Sequence, residues 1–238
     1  MKRLLALLFI VVLVVSGMAC SKSTQGDSQN TAGTPAGAKK MLYVKRGEGT
    51  NDPFVMKHFE KLGYFVIDMA DNVFKAERAN GFGVVYVSPT VNSARIDAEL
   101  GRSQVPVVYA KPQVASVVSL TGLLDYGQLD AATTVQIKDN KHPLAAGLKG
   151  QVAVYKNGGK IGYAIPGKEA VTIVTAPGDD KKAAVFAYEK GAKNINNEPV
   201  PARQVFFYLS AGEEMNQTDE GLKLLDAAVN WAAQNGKK

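Results

Sequence analysis

Residues 41–68, MLYVKRGEGTNDPFVMKHFEKLGYFVID, change hydrophobic pattern twice within one short stretch. The run 41–45 (MLYVK) is short and apolar and predicts a strand. Asp52 is a natural N-cap and Pro53 suits the first helical position. Phe54, Val55, His58, Phe59 and Leu62 then recur at helical spacing, and Gly63 supplies a stop. Residues 64–68 (YFVID) predict a second strand. Strand, helix and strand in so few residues define a unit with parallel strands and a covering helix.

Working outward, the alternation continues. Residues 72–80 predict a weaker helix and 82–88 (FGVVYVS) a third strand, nearly all apolar as a strand buried on both faces requires. Residues 93–100 predict another helix and 105–110 (VPVVYA) a fourth strand. The second half is richer in strands, at 133–137, 152–155, 171–175, 183–188 and 204–209, with glycine and proline between them. These read as mixed or antiparallel additions to the same sheet. Asp179-Asp180-Lys181-Lys182 reads as a solvated turn and 194–201 (NINNEPVP) as a loop. Thr218 caps a last helix, with Asp219 and Glu220 at its positive end and Leu222, Leu225, Val229 and Ala232 as its apolar stripe. Trp231 is expected to pack this helix onto the sheet. The expected fold is therefore α/β: a parallel sheet covered by helices, with extra mixed or antiparallel strands in the second half, in one domain over 41–238.

The residues before this domain have a different character. Lys2 and Arg3 precede an unbroken apolar run, 4–15, which is too short to span a bilayer core but fits the apolar region of a signal peptide. Ser16-Gly17-Met18-Ala19-Cys20 follows and resembles a bacterial lipobox, although Gly17 stands where that pattern usually carries leucine. The resemblance implies cleavage after residue 19 and lipidation of Cys20. Ordinary secretion with a free cysteine is the alternative. Residues 20–40 are small and polar and predict a disordered tether. By the sorting rule that goes with the lipobox, Ser21 points to the outer membrane, facing the periplasm or the outside.

Composition bounds the chemistry. The chain has 238 residues, a single cysteine and two histidines. This excludes an intrachain disulfide and any multi-cysteine metal site. The formal charge of +6 is largely a property of the leader and tether. Setting aside Lys2, Arg3, Lys22, Lys39, Lys40 and Asp27 leaves 23 basic against 21 acidic groups. No basic stripe with interleaved aromatics is present, so no nucleic-acid partner is expected. No phosphate-binding GxxxxGK[ST] loop and no GxSxG nucleophile elbow occurs, and no cofactor or metal is expected.

The strand, Asp-Pro-started helix and Leu62-Gly63-Tyr64 turn resemble the start of class I glutamine-amidotransferase-like domains. His142-Pro143-Leu144-Ala145-Ala146-Gly147-Leu148 resembles the HP(I/L)xxGL signature of their ThuA-like, trehalose-utilisation-like branch. The 184–189 (AVFAYE) strand, 203–207 (RQVFF) and Asn230-Trp231-Ala232 fit the same branch. The resemblance implies a flavodoxin-like three-layer α/β/α sandwich, with ligands beyond the carboxyl ends of the parallel strands. It does not imply catalysis. Glutamine amidotransferases need a cysteine nucleophile with a downstream His and Glu, and this domain has no cysteine after Cys20 and no histidine after His142.

Candidate ligand residues follow from the loops at that edge. Arg46 and Asn51 lie in the glycine-containing loop after the first strand. Thr90 and Asn92 follow the third strand, and Lys111 follows the fourth. His142 opens the His-Pro turn. Together these six form the expected ligand cleft, although a plain tight turn, a helix cap by Asn92 or Ser93, and loop fixing by His142 explain the same residues without a ligand. His58 is expected at a core boundary. The function expected is a lipid-anchored envelope protein with a non-catalytic domain that binds a small molecule, a glycan or an envelope protein. The alternatives are an enzyme acting on a sugar derivative and a purely structural envelope protein.

Overall fold

A computed structural model describes residues 39–48 and 50–235. The signal peptide assigned to 1–19, Cys20 and the tether up to residue 38 lie outside the described residues. The first half contains β1 (Lys39–Lys45), α1 (Asp52–Lys61), β2 (Tyr64–Ala70), β3 (Val84–Val87), β4 (Val107–Tyr109) and α2 (Pro112–Val117). The second half contains β5 (Thr121–Ala132), β6 (Thr134–Ile137), β7 (Gly150–Ala153), β8 (Gly159–Pro166), β9 (Val171–Ala176), β10 (Asp179–Tyr188), β11 (Gln204–Phe207) and α3 (Asp219–Gln234). Short 3-10 turns occupy Ala76–Ala79, Ser93–Arg95, Ala98–Arg102 and Pro143–Ala145.

One mixed sheet of order β2-β1-β3-β4-β11-β10-β9-β6-β7 carries the fold. β2, β1, β3, β4 and β11 are parallel. From β10 outward the pairing is antiparallel. β8 branches from β10 and pairs with β5 as a ribbon. The expected flavodoxin-like α/β architecture with antiparallel additions is what the structure shows. Met41, Leu42, Tyr43 and Val44 are all buried, because alternate residues of β1 enter different cores. Met41 and Tyr43 join Val55 and Phe59 of α1 and Leu224, Leu225, Ala228 and Val229 of α3. Leu42 and Val44 join Val114 and Ala115 of α2 with Ala79 and Leu100 of the 3-10 turns and Ile96 between two of them.

The covering helices follow local chemistry. Pro53 lies in the first turn of α1, and Gly63 ends it at φ +85°, a conformation that side chains with a Cβ disfavour. Thr218 Oγ1 accepts from the Gly221 N–H at 3.0 Å at the start of α3, as expected. Asp52, however, is not a cap. It is the first residue of α1, behind Asn51, and its carboxylate is buried among hydroxyls. Phe54 is not on the buried face of α1 either; it remains exposed while Val55 and Phe59 point inward.

Two further expectations are corrected. Residues 72–80 and 93–100 are not α-helices. Their backbone donors are taken by neighbouring acids and amides: Asp71 accepts from Asn92 N–H at 2.6 Å, Asp97 from Ala76 N–H at 3.2 Å and Glu99 N–H at 3.1 Å, and Asn92 from Ala94 N–H at 3.1 Å. Such side-chain bonds compete with the helical ladder and leave single 3-10 turns. Residues 179–182 are not a free turn but the first residues of β10; the turn is made just before, at Gly178, φ +76°. β5 and β8 had no signal because their ribbon stays half solvated and β5 carries glycines and acids between its apolar residues. α2 has six residues, too few for a periodic stripe. No helix among the described residues is long and apolar enough to cross a membrane.

Candidate functional site

Beyond the carboxyl ends of β1, β3 and β11 the structure gathers polar groups that the apolar strands would not otherwise hold. Asp52 is the hub and is fully buried. Its Oδ1 accepts hydrogen bonds from Tyr43 OH, at 2.8 Å, and from Ser88 Oγ. Its Oδ2 accepts from Thr90 Oγ1, at 2.9 Å, and from Thr50 Oγ1. A carboxylate has about four lone-pair sites, and four hydroxyls fill them without any cation. Hydrogen bonds to a charged group are the stronger kind, which is how a lone carboxylate is kept under the sheet edge.

Beside this satisfied hub lies an unsatisfied one. Glu214 and Gln217, from the loop that follows β11, are buried with Tyr86 of β3 and Tyr208 just after β11. Gly212 N–H donates to Glu214 Oε2 at 2.9 Å, but Glu214 Oε1 has no partner. The hydroxyls of Tyr86 and Tyr208 and both amide atoms of Gln217 are likewise buried and unpartnered. Burial, with the Asp52 charge adding to it, pushes the Glu214 carboxyl above the usual range. Burial together with Asp52 and Glu214 pushes the Tyr86 phenol well up. Tyr86 therefore acts as a neutral donor and acceptor, and Glu214 holds its proton to higher pH than an exposed carboxyl does. Five unpartnered atoms in one place are unusual, because a buried polar atom without a partner costs about 1–3 kcal/mol.

A rim of charged side chains surrounds this edge. The Arg46 N–H donates to Thr90 Oγ1 at 3.2 Å, and Lys111 Nζ donates to the Pro89 carbonyl at 3.0 Å. Burial, helped by Arg46, lowers the Lys111 pKa. Asp71 is buried and binds exposed Arg95 at 3.1 Å. Asn51 faces Glu214 from the start of α1.

Of the six residues expected to form a cleft, Arg46, Asn51, Thr90 and Lys111 converge on this edge. Asn92 is adjacent, but its side chain caps the Ser93–Arg95 turn. His142 is not brought to them. Its Nδ1 accepts from Leu144 N–H at 3.2 Å and its ring sits 5.3 Å from Trp231, at the amino edge of the parallel strands. There Arg203, just before β11, donates to the Trp231 carbonyl at 2.8 Å, grips Glu189 through two nitrogens and lies 3.9 Å over the indole ring. Trp231 thus packs α3 onto the sheet. His58 pairs with Asp226 of α3 at 2.5 Å, away from both edges' polar clusters. Glu214, Gln217, Tyr86 and Tyr208 were not singled out from sequence. The signal available was the polar run 212–217 (GEEMNQ) between a buried strand and a helix cap, since loops at a sheet edge commonly carry function.

Among the described residues no group of three His, Cys, Asp or Glu side chains is placed to hold a metal. No protein-family model matches the chain, and no curated protein matches it in sequence. Solved structures do share its fold. A GMP-synthase-type protein from Thermoplasma acidophilum superposes with TM-score 0.54 at 12% identity, covering 82% of this chain and 95% of that one. A ThuA-like protein from Bacteroides uniformis gives 0.50 at 14% identity over 85% and 94% of the two chains. Another from Parabacteroides merdae gives 0.50 at 14% over 84% and 92%. At these identities the likeness is one of fold: the chain shares the α/β sandwich of these proteins.

Proposed function

We propose that this protein is a lipid-anchored envelope protein whose domain binds a small polar ligand of glycan type at the carboxyl edge of its sheet, without transforming it. The observation that carries the reading is the set of unpartnered buried groups on Tyr86, Tyr208, Glu214 and Gln217. Hydroxyl, carboxyl and amide groups side by side match the alternating donors and acceptors of a sugar hydroxyl array. Among the described residues, no hydroxyl beside them is paired with an imidazole base. Ser88 is tied to the Asp52 carboxylate rather than to an imidazole, and both histidines of the chain lie elsewhere. The short polar tether and the lipobox-like 16–20 (SGMAC) sequence support the anchored, outer-membrane setting.

The test is a thermal-shift screen of the chain from residue 20 onward against mono- and disaccharides and peptidoglycan fragments. A ligand at about 100 times its dissociation constant adds about 2.7 kcal/mol. In a domain of this size that raises the midpoint by about 5–10 °C. The shift is expected to vanish in Gln217→Ala. A blank across the panel, or a shift that Gln217→Ala leaves intact, would refute the site. The anchor is tested separately: labelling with a fatty-acid analogue should be lost in Cys20→Ala.

A further inference from the structure

The opposite, amino edge of the sheet carries a second feature. β5 and β8 are in register at Thr121↔Pro166 and again at Tyr126↔Ala164. Four residues of β5, 122–125 (GLLD), therefore stand against the single Ile165 of β8, and they loop outward. The loop is built, not slack. Thr121 Oγ1 donates to the Asp125 carbonyl at 3.0 Å and also to the Ile165 carbonyl. The Asp125 carboxylate folds back over Gly122, in the space a Cβ there would take. The result is a tip with two adjacent leucines facing solvent, Leu123 79% and Leu124 88% exposed. Folded proteins leave single apolar residues outside routinely, but a pinned pair at a tip is a different matter. Ile165 and Ile195 are exposed close by, and Lys168 and Lys193 line an adjoining pocket of about 360 Å³ with Ile195.

The place of this tip identifies its occupant. β1 runs parallel to β3, β4 and β11, so the chain enters the sheet at Lys39 on the same amino edge. α2 returns from the carboxyl edge to that edge, where Leu120 accepts a hydrogen bond from Tyr188 OH at 2.9 Å, and β5 starts there. The segment that leads from Cys20 therefore joins the folded domain on the edge that carries the tip. We propose that the Leu123–Leu124 tip docks on the lipid bilayer, the leucines entering the acyl boundary and Lys168 and Lys193 lying at the phosphate level. This rests on the anchoring reading above. It orients the domain so that the polar site at the carboxyl edge faces away from the membrane.

The experiment replaces the anchor so that the two ideas fail separately. The chain from residue 20 onward, with Cys20→Ala and an N-terminal hexahistidine tag, is held on phosphatidylethanolamine/phosphatidylglycerol vesicles containing a nickel-chelating lipid. Leu124→Cys, or Asn157→Cys at the opposite edge, carries an environment-sensitive fluorophore as the single thiol label. The label at position 124 is expected to shift to the blue on the vesicles and to be quenched by spin-labelled lipid, while that at 157 stays water-like. Water-like emission at both positions would overturn the proposal. A blue shift at 124 before vesicles are added would also overturn it, assigning the tip to a second copy of the chain. Whether the native chain carries acyl groups on Cys20 is read from its intact mass after membrane extraction. Their absence would overturn the anchoring reading whatever the tip does.

Discussion

Tyr43 and Tyr86 offer the same substitution with opposite consequences. Their rings are neighbours on adjacent strands, with centroids 5.0 Å apart, and both are fully buried. Tyr43 OH donates to the Asp52 carboxylate at 2.8 Å, whereas Tyr86 OH has no partner. Tyr43→Phe removes a hydrogen bond to a charged group, worth about 1.5–3 kcal/mol, and leaves Asp52 with three donors. Tyr86→Phe removes only a desolvated hydroxyl and keeps the ring packing; it should stabilise the free protein by about 1 kcal/mol. In a domain of this size each kcal/mol moves the midpoint by about 2–4 °C. Tyr43→Phe should therefore lower it by about 3–12 °C and Tyr86→Phe raise it by about 2–4 °C. Urea unfolding followed by the fluorescence of buried Trp231 gives the same comparison as free energies, provided the slope m is unchanged. Destabilisation by Tyr86→Phe of 1 kcal/mol or more would refute the reasoning, because it would mean that the hydroxyl is already satisfied. Adding the glycan that binds should reverse the order, since the hydroxyl then gains a partner.

Other perturbations give separate checks. The Glu214 carboxyl is raised above its ordinary 4.5 by burial and by Asp52, so its favourable contribution is full below that value and is lost as pH rises through the folded pKa. Glu214→Gln should remove this loss, giving a variant that gains on the wild type as pH is raised from 4 to 8 in denaturation titrations. His142 is shifted the other way, lowered from 6.5 chiefly by burial. Its contribution is present above 6.5 and lost as pH falls through the folded pKa, when Nδ1 can no longer accept from Leu144 N–H; His142→Ala should flatten that acid limb. Gly221→Ala would put a Cβ 2.6 Å from the Val154 carbonyl and should cost about 1–3 kcal/mol. Gly47→Ala meets nothing within 4 Å and should stay within about 0.5 kcal/mol, both measured by urea unfolding.

The parallel half of the sheet and its two main helices were legible because their signals are local. β3, β4 and the middle of β1 are apolar on both faces, Gly63 carries the positive φ that ends α1, and Thr218 caps α3 within three residues of its own position. The ribbon of β5 and β8 was not legible. Its strands pair across many residues, stay partly wet and carry polar residues that an isolated reading assigns to loops. The two missing helices failed for a related reason. Asp71 and Asp97 reach across the chain to capture backbone donors, and that competition exists only once the turns are packed together.

The site divides in the same way. The sequence by itself determined that Arg46, Asn51, Thr90 and Lys111 would meet, because each follows the carboxyl end of a parallel strand or starts the next helix, and parallel strands bring such ends to one edge. It also determined that the domain lacks a cysteine nucleophile. Only the tertiary structure decided that Asp52 is a buried hub rather than a cap, since its four donors come from β1, its own loop and the segment after β3. Only the tertiary structure sent His142 to the far edge with Trp231 and brought Glu214 and Gln217 under Tyr86 and Tyr208. The physical reason is range. Caps, turns and apolar periodicity act over a few residues and are written along the chain. The burial of a polar group, and whether it finds a partner, depends on segments far apart in the sequence, tens of residues for Asp52 and its Ser88 and Thr90 donors and more than a hundred for Tyr86 and Glu214.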